Sequence, residues 1–228
     1  MSAEFVFALG LGLALLVLGQ LLTRHAARMH RATLEQLQAQ CLQRSLELLR
    51  ALQKHRGLGA QQELPAVSQR NALARQLDQL WLNWPGESLE LPPLHCEWPM
   101  LRMKPADFDS HSRVIEALLG VIETLGERLA VQGLADTCRH LEDLARLRGL
   151  AVRAANYGQC PPVLQRQMRE LCARIAKRDT DEQLRGLLAQ LRSELIEARQ
   201  PRLAPADCFA LLTPPIERLL HSTRLGSA

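Results

Sequence analysis

The sequence predicts an all-α protein: an N-terminal transmembrane helix that continues into an up-and-down helical bundle. Three observations carry that expectation. Residues Phe5 to Leu22 form an apolar run whose only polar side chain is Gln20. Leu and Ala dominate the rest, and aromatic residues make up only 4% of the chain. Unbranched side chains lose little rotamer freedom in a helix, whereas strand formers are β-branched or aromatic. Finally, apolar residues recur at helical spacing over most of the chain, broken by proline and glycine.

The apolar run comes first. As a helix it rises roughly 27 Å, close to the thickness of a bilayer's hydrocarbon core. Arg24, Arg28 and Arg31 follow at once, while Met1–Glu4 holds no Lys or Arg. A secretory signal would have a positive start, a shorter apolar core and a small-x-small cleavage site. The basic flank predicts an N-terminus outside and the bulk of the chain in the cytoplasm, on a single-pass anchor. The expected division is an anchor over 1–23 and a helical domain over 24–228. Ala8/Gly12 and Gly10/Ala14 have the small-x-x-x-small spacing that permits a homodimer.

Past the anchor, Leu34, Leu37, Cys41, Leu42, Leu46, Leu49 and Leu52 predict a first domain helix, with an apolar stripe wider than a coiled-coil seam. Gly57-Leu58-Gly59 ends it, and Pro65 opens a helix to about Trp84. Five prolines between Pro85 and Pro105 exclude a continuous helix there, leaving a proline-rich connection over 85–107. Trp81, Trp84 and Trp98 lie in or beside it and are expected to pin it to the bundle, with a membrane-surface contact as the alternative. Asp107 or Asp109 caps a helix over about 110–132, and Gly133 stands at its stop position. Further helices are expected over about 134–156, from Pro161-Pro162 to Lys177, and from an Asp179–Asp181 cap to Arg199. A last short helix follows Pro205 and is interrupted at Pro214-Pro215.

The net charge of +4 is mild and mixed after Arg31, so no nucleic-acid partner is expected; the basic cluster suits lipid headgroups. Cys41, Cys96, Cys138, Cys160, Cys172 and Cys208 are scattered, which predicts reduced, buried thiols in a cytoplasmic domain. There is no phosphate-binding glycine loop, nucleophile elbow or His-Glu-x-x-His helix. His95-Cys96 and Cys138-Arg139-His140 lack second pairs at zinc-site intervals. The chain is therefore not expected to be an enzyme or to carry a cofactor.

One pattern occurs twice. Leu52-Gln53-Lys54-His55-Arg56-Gly57-Leu58-Gly59-Ala60 ends one helix, and Leu144-Ala145-Arg146-Leu147-Arg148-Gly149-Leu150 lies within another. A glycine inside a helix costs about 1 kcal/mol against alanine, so Gly149 needs a reason, such as close helix approach or ligand access. An inward-leaning arginine without an acid wants an anion, because a buried unpaired guanidinium is strongly unfavourable. Arg56 and Arg148 on facing helices, with Gly57 and Gly149 beside them, could hold a small planar oxyanion between forked donors. A second account stays open on the residues alone. Arg56 can serve the C-terminal helix dipole with Gly57 as its cap, while Arg148 pairs with Glu142 or Asp143.

Three stretches carry a family resemblance: LQKHRGLGA at 52–60, FDSHSRVIEALLGVIETLGERL at 108–129 and LEDLARLRGLAVRA at 141–154. Taken in order, they resemble the NIT domain, an all-helical nitrate- and nitrite-sensing module of bacterial receptors and transcription antiterminators. The chain departs from that pattern at His55 and Leu147, where the family usually places an acid. The resemblance implies nitrate or nitrite as ligand, bound between Arg56 and Arg148. With no output domain legible after the bundle, it also implies signalling to a separate partner protein. The alternative, from a different class, is a single-pass anchored helical scaffold that binds no ligand.

Overall fold

The computed structural model describes residues 3–225, with side chains at 13 and 16–220. It is all-helical, with 82% of residues in helices and no strand among the described residues. The chain divides into two compact units, Met1–Gln40 and Cys41–Ala228.

In the first unit, α1 (Ala3–Leu58) runs through residue 23 without a break. Its apolar side chains Leu13, Leu16, Val17, Leu18, Leu21 and Leu22 are all exposed. Among the described residues, however, no helix is long and apolar enough to cross a membrane. The transmembrane part of the expected fold is thus unsupported. The side chains at 5–12, 14 and 15 of the predicted anchor lie outside the described residues, as do the Ala8/Gly12 and Gly10/Ala14 pairs.

The second unit holds the core. Although the apolar stripe of α1 begins at Leu34 in the sequence, Leu34 is exposed and Cys41, Leu48, Leu49 and Leu52 are buried. α2 (Leu64–Leu82) follows, with Pro65 in its first turn, where a missing N–H costs nothing. The proline-rich connection is more ordered than expected. It contains 3-10 turns at Pro85–Leu89 and Leu94–Glu97 and a short helix, α3 (Trp98–Met103). Its tryptophans do pin it down. Trp84 Nε1 donates to Ser45 Oγ at 3.2 Å and Trp98 Nε1 to Asp78 Oδ1 at 2.8 Å, and all three rings are buried.

α4 (Phe108–Arg128) starts at Asp107, whose carboxylate accepts from Ser110 N at 3.1 Å; that backbone N–H holds the Asp107 carboxyl below its usual range. α4 stops earlier than predicted, because the chain turns left-handed at Ala130 (φ 54°). Val131 N then reaches Gly126 O and Ala130 N reaches Glu127 O, closing the last turn. Gly133 (φ 71°) instead takes the N-cap position of α5 (Leu134–Ala154).

α5 is buried along most of its length, with Leu141, Leu144, Ala145, Leu147, Leu150, Ala151, Val152 and Ala154 in the core. A helix apolar on so many sides needs neighbours all round, and α4, α6 (Pro162–Arg178) and α8 (Pro205–Leu225) supply them. α7 (Glu182–Leu191) is capped by Asp181 and opens into a π-turn at Arg192–Ile196, short of the predicted Arg199. The last helix was expected to be short and broken. Instead α8 runs through Pro214 and Pro215. Leu212 and Ile216 on either side are buried in the core, and that packing holds the helix across two missing backbone donors.

Five of the six cysteines are buried as expected; Cys96 is exposed.

Candidate functional site

The two Arg-Gly-Leu stretches meet in the core. The last turns of α1 bring Gln53, His55, Arg56 and Gly57. The start of α4 brings Phe108, His111 and Ser112. α5 contributes Glu142, Arg148 and Gly149, and α8 contributes Phe209 and Thr213. Both arginines are 3% exposed, so each guanidinium is removed from water.

Arg56 is not free. Its Nη1 lies 2.7 Å from Glu142 Oε1 and its Nη2 3.0 Å from Glu142 Oε2, a forked pair that is the strongest arrangement of these groups. Ser112 Oγ accepts a further bond at 3.1 Å, and Gln53 Nε2 donates to Glu142 Oε2 at 2.9 Å. The expectation of two arginines with nothing negative from the polypeptide is therefore corrected for Arg56. The acid comes from α5 rather than from the residue before the arginine.

Arg148 has only neutral partners. Nη1 donates to Thr213 Oγ1 at 3.1 Å, and Nη2 reaches Gln53 O at a long 3.5 Å. Its expected partners are taken: Glu142 by Arg56, and Asp143 by Arg174 at 2.8 Å. No carboxylate of the described residues lies within ion-pair distance of it. Burial, and then the charge of Arg56, push its pKa down to about 10, while Glu217 and Glu142 pull the other way. It remains a cation at neutral pH. The Nε–H groups of both Arg56 and Arg148 are buried without an acceptor among the described residues. Two buried guanidiniums thus stand with one buried carboxylate, which is bound to Arg56 alone, and these three groups carry a net positive charge.

The glycines explain how the arginines come so close to aromatic rings. A Cβ on Gly149 would lie 2.6 Å from Phe108 Cε2, and the Phe108 ring centroid is 4.9 Å from Arg56 Cζ. A Cβ on Gly57 would lie 3.1 Å from Phe209 Cε2 and 3.3 Å from Arg148 Nε; the Phe209 centroid is 4.4 Å from Arg148 Cζ. The pairs are crossed, so the glycine after each arginine admits the ring that stacks on the other arginine. Gly57 lies inside the last turn of α1 and is not its cap.

His55 and His111 stand beside this cluster, both fully buried. His111 Nδ1 lies 2.6 Å from Asp107 O. A carbonyl only accepts, so Nδ1 carries the hydrogen and His111 Nε2 accepts from His55 Nδ1 at 2.9 Å. Burial, followed by His111 and Arg70, pushes His55 down to about 3; burial also lowers His111. Both rings are neutral at neutral pH.

Sequence reading missed Gln53, Phe108, Phe209, Thr213 and His111, and offered Glu142 to Arg148 where the structure gives it to Arg56. Glu142 left a signal: with Ala145, Gly149 and Val152 it falls on one apolar face of α5, where an acid needs a cation. Phe209 left none, since α8 was expected to be short. Among the described residues no group of three His, Cys, Asp or Glu stands close enough to hold a metal ion.

No family model, curated protein or solved structure matches this chain.

Proposed function

We propose that this chain is a membrane-anchored helical module, not an enzyme, that senses a small planar oxyanion, nitrate or nitrite, through Arg148. The observation that carries this reading is a buried, cationic Arg148 without a carboxylate among the described residues, its own Nε–H and that of Arg56 both orphaned. A buried charge left in that state is costly, and an anion of matching size removes the cost. Thr213 and Gln53 orient the guanidinium, while Glu142 holds Arg56 in place. The three stretches that resemble the NIT domain favour nitrate or nitrite among small oxyanions. On this reading Arg56, Gly57 and Gly149 shape the site, and Arg148 makes the charged contact. The exposed apolar side chains at 16–18, 21 and 22, followed by Arg24, Arg28 and Arg31, suit a single-pass anchor with the bundle in the cytoplasm. The signal then passes to a partner protein, or between two copies of this chain.

The test is thermal unfolding of the full chain in detergent micelles, at low chloride, with millimolar nitrate or nitrite. A midpoint raised by either anion, and unmoved by it in Arg148→Met, is the expected result. No response of the unsubstituted chain to either anion overturns the reading.

A second reading, an anchored scaffold without a ligand, is favoured by the Arg56–Glu142 fork, since a self-satisfied ion pair is what a purely structural cluster uses. It predicts no anion effect and a change in stability alone when Arg56 or Arg148 is substituted.

A further inference from the structure

A cavity of about 550 Å³ has Gln61, Glu63, Arg153, Asn156, Tyr157 and Pro205 in its wall, none of them part of the arginine cluster. That volume is in the range of small-molecule sites. Its wall is held firmly. Arg70 Nη1 donates to the carbonyls of Leu58, Gly59 and Gln61 in the α1–α2 turn, at 3.4, 3.4 and 3.2 Å. The Pro105 carbonyl occupies the place a side chain on Gly59 would need, which locks that turn against the entry to α4.

Three groups in this wall have no counterpart. Gln61 is 7% exposed, and its amide nitrogen has no hydrogen-bond partner among the described residues. An orphaned buried donor is unfavourable, and the residue that carries it is part of the cavity wall. Arg153 rests 5.2 Å from the Phe108 centroid, which leaves the N–H edge of its guanidinium without a carboxylate among the described residues. Glu63 occupies the N-cap position of α2, yet its side chain caps nothing and pairs with no cation of the described residues. The wall of one space therefore holds a cation and an anion that do not pair with each other, together with a residue whose buried amide donor has no partner among the described residues. A simple anion would meet Glu63 unfavourably, and a simple amine would meet Arg153. A molecule carrying both charges satisfies both.

We propose that this cavity binds a free amino acid, with its carboxylate at Arg153 and the Gln61 amide and its ammonium at Glu63. The proposal goes beyond the oxyanion reading and does not depend on it. Arg56 and Arg153 lie against the same Phe108 ring, so occupancy here bears on the neighbouring cluster.

The experiment uses the full chain in detergent micelles, with each of the twenty standard amino acids offered singly at millimolar concentration. Unfolding midpoints are read first and calorimetry follows. At least one amino acid is expected to raise the midpoint by roughly 2–4 °C or more. Its amine and carboxylic-acid analogues, each lacking one charge, should give no comparable shift. Arg153→Met should weaken binding about ten- to a hundredfold, the worth of a charge-assisted hydrogen bond. Glu63→Gln, at an exposed position, should also weaken it without disturbing the fold. No response to any amino acid, or undiminished affinity in both variants, overturns the proposal. A carboxylic acid that binds as well as its amino acid overturns it too. Nitrate is titrated into the same samples, so this site and the one at Arg148 fail separately.

Discussion

Arg56 and Arg148 open identical Arg-Gly-Leu tripeptides, in one buried cluster, against one aromatic ring each, and the protein treats them differently. Arg56 receives a two-pronged carboxylate, a serine hydroxyl and a neighbouring glutamine that steadies the acid. Arg148 receives a threonine hydroxyl and a distant carbonyl. The contrast teaches that burial alone does not say what an arginine is for; the partner set does. A forked pair is complete, whereas a buried cation on neutral acceptors is still short of a negative charge.

The sharpest way to break this comparison is to remove one side of the complete pair. Glu142→Ala strands Arg56 without its acid, and Arg56→Met strands Glu142. Each should cost about 3–5 kcal/mol in equilibrium denaturation, the usual penalty for orphaning a buried charge. A loss under about 1 kcal/mol would mean that the fork contributes little. Arg148→Met should behave oppositely. Replacing an incompletely satisfied buried cation by an apolar side chain of similar length is often neutral or stabilising, so its cost should stay below about 1 kcal/mol.

Between these extremes lies acid. The unfolded chain protonates His55 near 6.5, while the folded chain resists until about 3. Protons therefore favour unfolding, and stability is complete above the ordinary histidine range and falls as pH drops through it. By linkage, His55 alone should cost about 2 kcal/mol at pH 5, and the lowered His111 acts in the same direction. His55→Gln should flatten that slope in denaturation followed from pH 7 to pH 5. A smaller effect is expected from Gly149→Ala. The new methyl meets Phe108 at a cost of about 1–3 kcal/mol for overpacking, and helix preference offsets about 1 kcal/mol of it. A net loss of about 1–2 kcal/mol, with the Arg56 stack disturbed, is the expected outcome.

The same contrast marks how far the sequence could be read. Helical periodicity, the Asp107 cap and the end of α1 beside Gly57–Gly59 were legible because they depend on residues close together in the chain, whereas Gly133 caps α5 rather than stopping α4. The unusual placement of Gly149 was legible too, though its cause, the Phe108 ring from another helix, was not. Glu142 as the acid for Arg56 lies 86 residues away, and nothing local distinguishes it from an acid serving Arg148. α8 was misjudged because proline rules describe an isolated helix, whereas here buried Leu212 and Ile216 hold the backbone in register.

The most direct measurement is the Nε–Hε resonance of each buried arginine, assigned by single substitution in the full chain and followed as nitrate or nitrite is added at low chloride. The account predicts that the Arg148 resonance moves and saturates while the Arg56 pair with Glu142 persists. An Arg148 resonance that stays in place at millimolar concentrations of both anions would contradict it.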